Sequence, residues 1–152
     1  MFSEKDREII SHIRKMCSKD GEIPEFHEDL NAIFLTLNGE FYSHPILMGC
    51  VDNILKILAV KDIKAPNCSK ETFMNILKLN ASLPMGSFCC GVQEESIAYK
   101  LNIPLFEEPT KEFIARLLYY TAQILDDSLP EIISYIREHQ NGNRERKNST
   151  IH

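Results

Sequence analysis

The sequence lacks any long hydrophobic run, because its longest apolar stretches, such as Ala32 to Leu35, cover only a few residues. A helix that crosses a bilayer needs about 20 consecutive apolar residues. The segment Phe2 to Asp6 also lacks the pattern of a signal-peptide start. We therefore expect a cytoplasmic protein with no membrane partner.

The sequence also has fewer basic than acidic residues. Seventeen Lys and Arg residues face 22 Asp and Glu residues, which gives a net charge of −5. The segment 141–152 is itself basic, with Arg144, Arg146 and Lys147 against Glu145, so the rest of the chain is more acidic still. Phosphate binding depends on clustered Lys and Arg, and we therefore expect no nucleic-acid partner.

The common site motifs are missing. No CxxC or HExxH spacing indicates a metal site, and Leu83-Pro84-Met85-Gly86 lacks the glycines and the lysine of a phosphate loop. The cysteines are odd in number, which favours reduced thiols over a disulfide framework; they are Cys17, Cys50, Cys68, Cys89 and Cys90. We expect no catalytic residue, no metal and no cofactor.

A few polar residues leave an alternative open. His27 and His44 have no partner at metal-ligand spacing, so we predict surface or loop positions for both. We attribute Asp126, Asp127 and Glu131 to helix capping. An enzyme or small-molecule sensor with a pocket near His44, Cys50 and Cys89 remains possible only if the fold brings these side chains together.

Hydrophobic spacing predicts the elements of the first half. Ser3 and Asp6 read as a capping box for a helix from Glu4 to Ser18. Strand-like runs at 31–37 and 40–43 flank Asn38-Gly39, a strong signal for a two-residue hairpin turn. Pro45 should end the second strand or place it at an edge. The apolar run 53–60 is interpreted as a third strand.

The second half begins with a helix capped by Ser69 that ends near Asn80. Alternating apolar residues at 88–92 and 97–103 predict an amphipathic hairpin that turns at 93–95. Thr110 can cap a third helix. Pro130 favours a break in that helix and a short final one, before a polar tail that we expect to be disordered.

These elements predict one α+β domain over residues 1–140, with a disordered tail at 141–152. Its antiparallel sheet has about five strands and helices on one side, in the order α-β-β-β-α-β-β-α(α). The strands at 31–37 and 53–60 are apolar on both faces, so one face is in surplus. That surplus face is covered either by a neighbouring helix or by a partner chain.

Several segments between Glu71 and Ile136 resemble a known group of proteins. Residues 73–80 look like a helix that ends in Leu-x-x-Asn, 83–88 look like the start of the next strand, and 97–105 look like a strand that leads into an apolar loop with proline. In these segments the chain resembles the class I type III secretion chaperones and the related YbjN-like family. The resemblance implies a homodimer without enzymatic activity that binds a client protein or acts as an adaptor.

The sequence therefore predicts a non-catalytic protein-binding module that binds an apolar segment of a client. We expect the partner contacts at Ile33, Leu35, Leu37, Ile54 and Ile57. We expect a dimer interface at Phe73, Leu77 and Phe88. A structural subunit of a larger assembly is a further alternative.

Overall fold

A computed structural model describes the backbone of residues 1–64, 70–90 and 96–149, and the side chains of residues 1–61, 70–90 and 96–137. Within these residues it has three α-helices, six β-strands and one turn of 3₁₀ helix at Glu28–Leu30. The elements are α1 (Glu4–Met16), β1 (Glu25–His27), β2 (Ala32–Asn38), β3 (Ser43–Val51), β4 (Ile54–Lys64), α2 (Lys70–Ser82), β5 (Ser87–Cys90), β6 (Ser96–Pro104) and α3 (Lys111–Ser149).

The six strands form a single antiparallel sheet in the order β1-β2-β3-β4-β6-β5. This confirms the predicted α+β class with an antiparallel sheet. The sheet has one strand more than the sequence suggested, because the short β1 pairs with β2 from a segment that reads as an irregular connection.

The start of α1 follows the predicted capping box. The Ser3 hydroxyl accepts a hydrogen bond from the backbone N–H of Asp6, and the Asp6 carboxylate accepts one from the backbone N–H of Ser3. These two bonds satisfy N–H groups that a helix start leaves without partners. Ile9, Ile10 and Ile13 then bury one face of the helix.

The two-residue hairpin turn lies at a different place from the predicted one. A four-residue connection, residues 39–42, follows Asn38, and a hydrogen bond from Gly39 N–H to the carbonyl of Tyr42 closes it. The tight turn joins β3 to β4 through Asp52 and Asn53, whose φ angles are 53° and 61°. Two consecutive positive φ values are the requirement of a type I′ turn, which Asn and Asp tolerate.

Pro45 does not end its strand, and β3 lies between β2 and β4 and not at an edge of the sheet, so both alternatives of that prediction are wrong. Strand β3 runs from Ser43 to Val51, and Pro45 lies opposite Thr36 of β2. The pairing of β3 with β4 begins only at Leu47. Pro45 therefore precedes the part of β3 that is central in the sheet, which is why the missing N–H is tolerated.

Two predicted elements in the middle of the chain are confirmed. Residues 54–64 are a strand, and Ile97, Tyr99 and Leu101 of β6 alternate on the buried face. The predicted cap at Ser69 and the predicted turn at 93–95 lie outside the described residues.

The last helix is continuous, in contrast to the predicted break. α3 passes through Pro130 and continues to Ser149, so it includes residues 141–149 of the predicted tail. Pro130 is exposed, while Leu129 and Ile132 beside it are buried. Proline lacks the N–H that would bond to the carbonyl of residue 126. We infer that the burial of its apolar neighbours carries the helix across this position.

The three helices cover one face of the sheet. Residues of α1, α2 and α3 form one core with the inward side chains of β2, β3, β4 and β6. On the outer face, Phe34 and Val60 are exposed, and Leu47 and Leu58 are half-buried. Within the described ranges, no helix lies over this outer face.

Candidate functional site

The residues predicted to bind a partner lie mostly inside the core. Ile33, Leu37 and Ile57 are 0%, 8% and 2% exposed, and the helices cover them. Leu35 is half-buried against the same core, and Ile54 is half-buried on the outer face. Their role as partner contacts stays a prediction. The surplus apolar face of these strands is the outer one, on which Phe34 and Leu58 lie.

The residues predicted for a dimer interface are divided between surface and core. Phe73 and Leu77 are 45% and 61% exposed on α2. Phe88 is only 3% exposed and stacks at a tilt on Tyr99 within the core. Phe73 and Leu77 are therefore available to a partner in this arrangement, and Phe88 is not.

The three residues of the alternative pocket are not brought together. His44 and Cys50 both point to the core from β3, six residues apart, which in a strand is about 20 Å. Cys89 lies on β5, at the far edge of the sheet. Burial, followed by the hydrogen bond to Asp6, raises the pKa of the Cys50 thiol to about 12, so this thiol is protonated at neutral pH.

His44 is instead the centre of a buried charge cluster, which consists of His44, Lys61 and Asp126. The Nε2 atom of His44 lies 2.5 Å from Oδ1 of Asp126, and its Nδ1 lies 2.6 Å from Nζ of Lys61. The three residues are 0%, 8% and 5% exposed. The prediction of a surface or loop position is therefore wrong for His44; His27 is half-buried.

The hydrogen bonds of the charge cluster fit a protonated Lys61 beside a neutral His44. An ammonium group has only donors, so Lys61 donates to Nδ1 of His44, and the ring proton on Nε2 is donated to Asp126. Burial lowers the pKa of His44 against the effect of Asp126. Burial also lowers the pKa of Lys61, although the negative charge of Asp126 acts to raise it. In this protonation state a neutral imidazole lies between a carboxylate and an ammonium group.

The connection between β2 and β3 encloses the carboxylate of Asp126. Burial raises the pKa of Asp126, but hydrogen bonds from His44 and from the backbone of Phe41 and Glu40 outweigh it, and the pKa is lowered. A Cβ atom on Gly39 would lie 2.3 Å from Oδ1 of Asp126, closer than any real contact. The backbone thus passes directly over the carboxylate, and Asp126 does not cap a helix as predicted.

A second buried carboxylate, Asp6, joins α1 to the β3–β4 turn. Besides its bond to Ser3, it accepts hydrogen bonds from the backbone N–H groups of Asp52 and Asn53 at 3.0 and 2.9 Å, and from the Cys50 thiol. Burial raises the pKa of Asp6, but these bonds lower it to about 2. Both buried carboxylates therefore hold turns of the sheet against helices.

An open groove with a volume of about 580 Å³ lies between α2 and α3. The end of α2, the connection at 83–85 and one side of α3 line it. These lining residues are Leu79, Ser82, Leu83, Pro84, Met85, Tyr120, Gln123, Ile124, Asp127, Ser128 and Glu131. Two of them, Asp127 and Glu131, are exposed carboxylates one helical turn apart.

No metal site is found in the part of the chain whose structure is described, since three His, Cys, Asp or Glu residues are nowhere grouped to hold an ion. Nor does any described helix have the length and apolar character needed to cross a membrane.

Comparison with solved structures gives a match over most of the chain. The crystal structure of YbjN from E. coli, described as a proposed transcription regulator, superposes with a TM-score of 0.58 and covers 80% of this chain and 92% of YbjN. The sequences are 15% identical, so this likeness concerns the fold. The chain has a YbjN-like fold. Neither the protein-family models nor the curated protein sequences give a match.

The match with YbjN supports the YbjN-like part of the sequence resemblance, and it does not extend to the type III secretion chaperones. Sequence reasoning missed both buried carboxylates and the groove. The only early signal was the capping-box role of Asp6; the partners of Asp126 are 82 and 85 residues away from it. The groove depends on how α2 packs against α3, which hydrophobic spacing alone does not determine.

Proposed function

We propose that this protein is a non-catalytic adaptor that holds a short apolar segment of a client protein, flanked by basic residues, in the groove between α2 and α3. The observation that carries the proposal is the combination of an apolar floor and an acidic edge in this groove. Its volume of about 580 Å³ is typical of ligand sites, which span roughly 300–1,000 Å³.

The floor of the groove supplies the apolar contact area. Leu83 and Met85 are half-buried at the connection between α2 and β5, and Tyr120 of α3 is 52% exposed beside them. When a partner covers apolar groups that are partly open to water, the free energy of the complex decreases. Tyr and Met are also enriched in protein interfaces, where Tyr adds a hydroxyl for hydrogen bonding.

The edge of the groove supplies the charge preference. Asp127 and Glu131 stand on one side of α3, and the described lining includes no Lys or Arg. A client segment with Lys or Arg next to its apolar residues would therefore meet charges of opposite sign, whereas an acidic segment would be repelled. The net charge of −5 also attracts basic segments over longer distances and repels acidic ones.

The comparison supports an adaptor of this kind without naming a client. YbjN is described as a proposed transcription regulator. A regulator can act through protein contacts alone, and the negative net charge of this chain favours that route over direct binding of nucleic acid. The secretion-chaperone resemblance implies the same type of partner, an apolar segment of another protein.

The test uses a set of 12-residue peptides with a Leu-Phe-Leu centre and flanks of Lys, Glu or Ser, measured by fluorescence anisotropy. We expect the wild type to prefer the Lys-flanked peptides. The double variant Asp127→Lys/Glu131→Lys should bind them roughly tenfold more weakly and should bind the Glu-flanked peptides better. Glu107→Lys is the matched control, because Glu107 is exposed in the loop before α3.

Two outcomes would contradict the proposal. The first is binding that is equal for all three flanks in the wild type. The second is an unchanged affinity in Leu83→Asp, a variant that places a charge on the apolar floor while circular dichroism shows an intact fold.

A further inference from the structure

The outer face of the sheet carries a row of side chains that crosses five adjacent strands. The pairing registers place Glu25 opposite Phe34, Phe34 opposite Leu47, Leu47 opposite Leu58, and Leu58 opposite Lys100. We call these five residues the central row. Three apolar side chains thus occupy its middle, with an acidic residue at one end and a basic residue at the other.

The position of the two charges is symmetric about β3. Glu25 on β1 is two strands away from Leu47, and Lys100 on β6 is two strands away on the opposite side. Strands lie about 4.8 Å apart, so each charge is about 10 Å from Leu47. A two-fold rotation about an axis that runs along β3 above Leu47 therefore exchanges the positions of the two charges.

We propose that this outer face is the interface of a homodimer in which two sheets pack face to face around that axis. In this arrangement Leu47 meets the partner's Leu47, Phe34 meets the partner's Leu58, and Glu25 meets the partner's Lys100. Each contact between different residues occurs twice, as a two-fold interface requires. The arrangement is that of an aligned β-sandwich, whose sheets lie about 10 Å apart.

The size of the face is suitable for such a dimer. The six strands contain 43 residues, and each residue covers about 16 Å² of sheet, from a rise of about 3.3 Å and a strand spacing of about 4.8 Å. The sheet area is therefore on the order of 700 Å² per copy, close to the roughly 800 Å² per partner of standard stable interfaces.

The neighbouring residues of β3 leave the approach open. Leu47 is flanked on the outer face by Pro45 and Gly49, two residues away on either side, and neither has a long side chain. Phe34 is 43% exposed and Val60 is 50% exposed on the same face. Apolar side chains that lie together on an exposed sheet are typical of interaction surfaces.

The charge pattern is the reason to infer a second copy rather than a different protein. An unrelated partner would need no acidic and basic ends at equal distances from a central apolar residue. The central row complements itself in this orientation, whereas a rotated orientation would place equal charges against each other. The outer face is also separate from the groove, so this inference does not depend on the proposed function.

The experiment measures the association of the full chain by sedimentation equilibrium up to about 100 μM. We expect a dimer for the wild type and a monomer over the same range for Leu47→Glu, because this variant places two carboxylates at the axis. Glu25→Lys and Lys100→Glu should each raise the dissociation constant roughly tenfold. The double variant Glu25→Lys/Lys100→Glu should return it to within about threefold of the wild type.

The controls carry the same changes of charge elsewhere. Glu107→Lys and Lys78→Glu, both at exposed positions outside the outer face, should leave the dissociation constant unchanged. Circular dichroism of every variant establishes that the fold is intact. A wild type that is monomeric at about 100 μM would overturn the proposal. So would a dimer that survives Leu47→Glu but dissociates in Phe73→Glu/Leu77→Glu, since that result assigns the interface to α2.

Discussion

Asp126 in α3 accepts a hydrogen bond from Nε2 of His44 in β3 at 2.5 Å, although 82 residues separate them in the sequence. The bond connects the longest helix to the centre of the sheet, and the connection at 39–42 closes over it. Lys61 contacts the other nitrogen of the same ring, so the imidazole of His44 lies between the side chains of Asp126 and Lys61 and forms a hydrogen bond with each. The stability of the fold should therefore respond to any change in the charge of these groups.

The pH dependence of stability is the first consequence. The pKa values of His44 and Asp126 are lowered in the folded chain from 6.5 and 3.8. As pH falls through these values, the unfolded chain binds more protons than the folded one, so the free energy of unfolding decreases. For His44 the decrease begins near pH 6.5 and has a slope of at most about 1.4 kcal/mol per pH unit.

Urea unfolding between pH 8 and pH 5 measures this slope. We expect His44→Gln to be less stable than the wild type at pH 8 and to have a flatter dependence on pH. His12→Gln, which removes a half-buried histidine beside Glu108 at the surface, is the control variant. Equal slopes in the wild type and in His44→Gln would show that His44 is accessible to protons in the folded chain.

Removal of one buried charge is the second test. In Asp126→Asn the ammonium group of Lys61 stays buried without its counter-charge, and breaking such pairs costs about 3–5 kcal/mol. In the double variant Asp126→Asn/Lys61→Met neither charge remains. We expect its loss of stability to be smaller than the sum of the single losses by about 1 kcal/mol or more.

The neighbouring carboxylate provides the control for this cycle. Asp127 is exposed, so Asp127→Asn should change the free energy of unfolding by less than about 0.5 kcal/mol. Strictly additive losses in the double variant would mean that Lys61 and Asp126 act independently, against the geometry of the charge cluster.

Asp6 gives a third expectation, at lower pH. Its pKa of about 2, against 3.8 for an ordinary Asp, corresponds to a contribution of about 2 kcal/mol above pH 4. A protonated Asp6 resembles Asn in charge and shape. The stability difference between wild type and Asp6→Asn should therefore be about 2 kcal/mol at pH 6 and should shrink toward zero as pH falls from 4 to 2.

Thermal or urea unfolding at pH 6, 4 and 2 provides these values. Asp29→Asn, at an exposed position in the 3₁₀ turn, is the matched control and should show little difference at any pH. A difference between wild type and Asp6→Asn that stays constant down to pH 2 would contradict the lowered pKa of Asp6.

The sequence predicts the elements whose signals are local. The capping box at Ser3 and Asp6 and the alternation in β6 depend on neighbouring residues, and the structure has both. The two-residue turn was predicted at Asn38-Gly39 on the same kind of local signal, yet it lies at Asp52-Asn53. Both dipeptides tolerate positive φ, and only the pairing of whole strands decides which one becomes the tight turn.

The charge cluster shows why most of the site escapes such reasoning. His44 lies in a strand with no charged neighbour at motif spacing, and Asp126 stands in a run of residues whose local pattern indicates helix capping. Their contact exists only because α3 packs against β2, which brings Asp126 within reach of His44 on the neighbouring strand. Pro130 illustrates the same limit: its local preference favours a break, and the buried residues on both sides outweigh that preference.

The close approach of Gly39 to Asp126 supplies the last test. A methyl group on Gly39 would lie 2.3 Å from the carboxylate oxygen, so Gly39→Ala forces the connection or α3 to move. We expect a loss of about 2 kcal/mol or more, since the backbone bond from Phe41 and the cover over the charge cluster are both disturbed. The exposed neighbour Glu40 is the control, because Glu40→Ala keeps the backbone in place.

A second measurement distinguishes displacement of the connection at 39–42 from a general loss of stability. When the connection moves, water reaches the charge cluster, and the burial that lowers the pKa of His44 is relieved. The ring protons of His44, followed by NMR as a function of pH, should titrate closer to 6.5 in Gly39→Ala than in Glu40→Ala or the wild type. An unchanged titration of His44 together with unchanged stability would show that the connection at 39–42 does not shield the charge cluster.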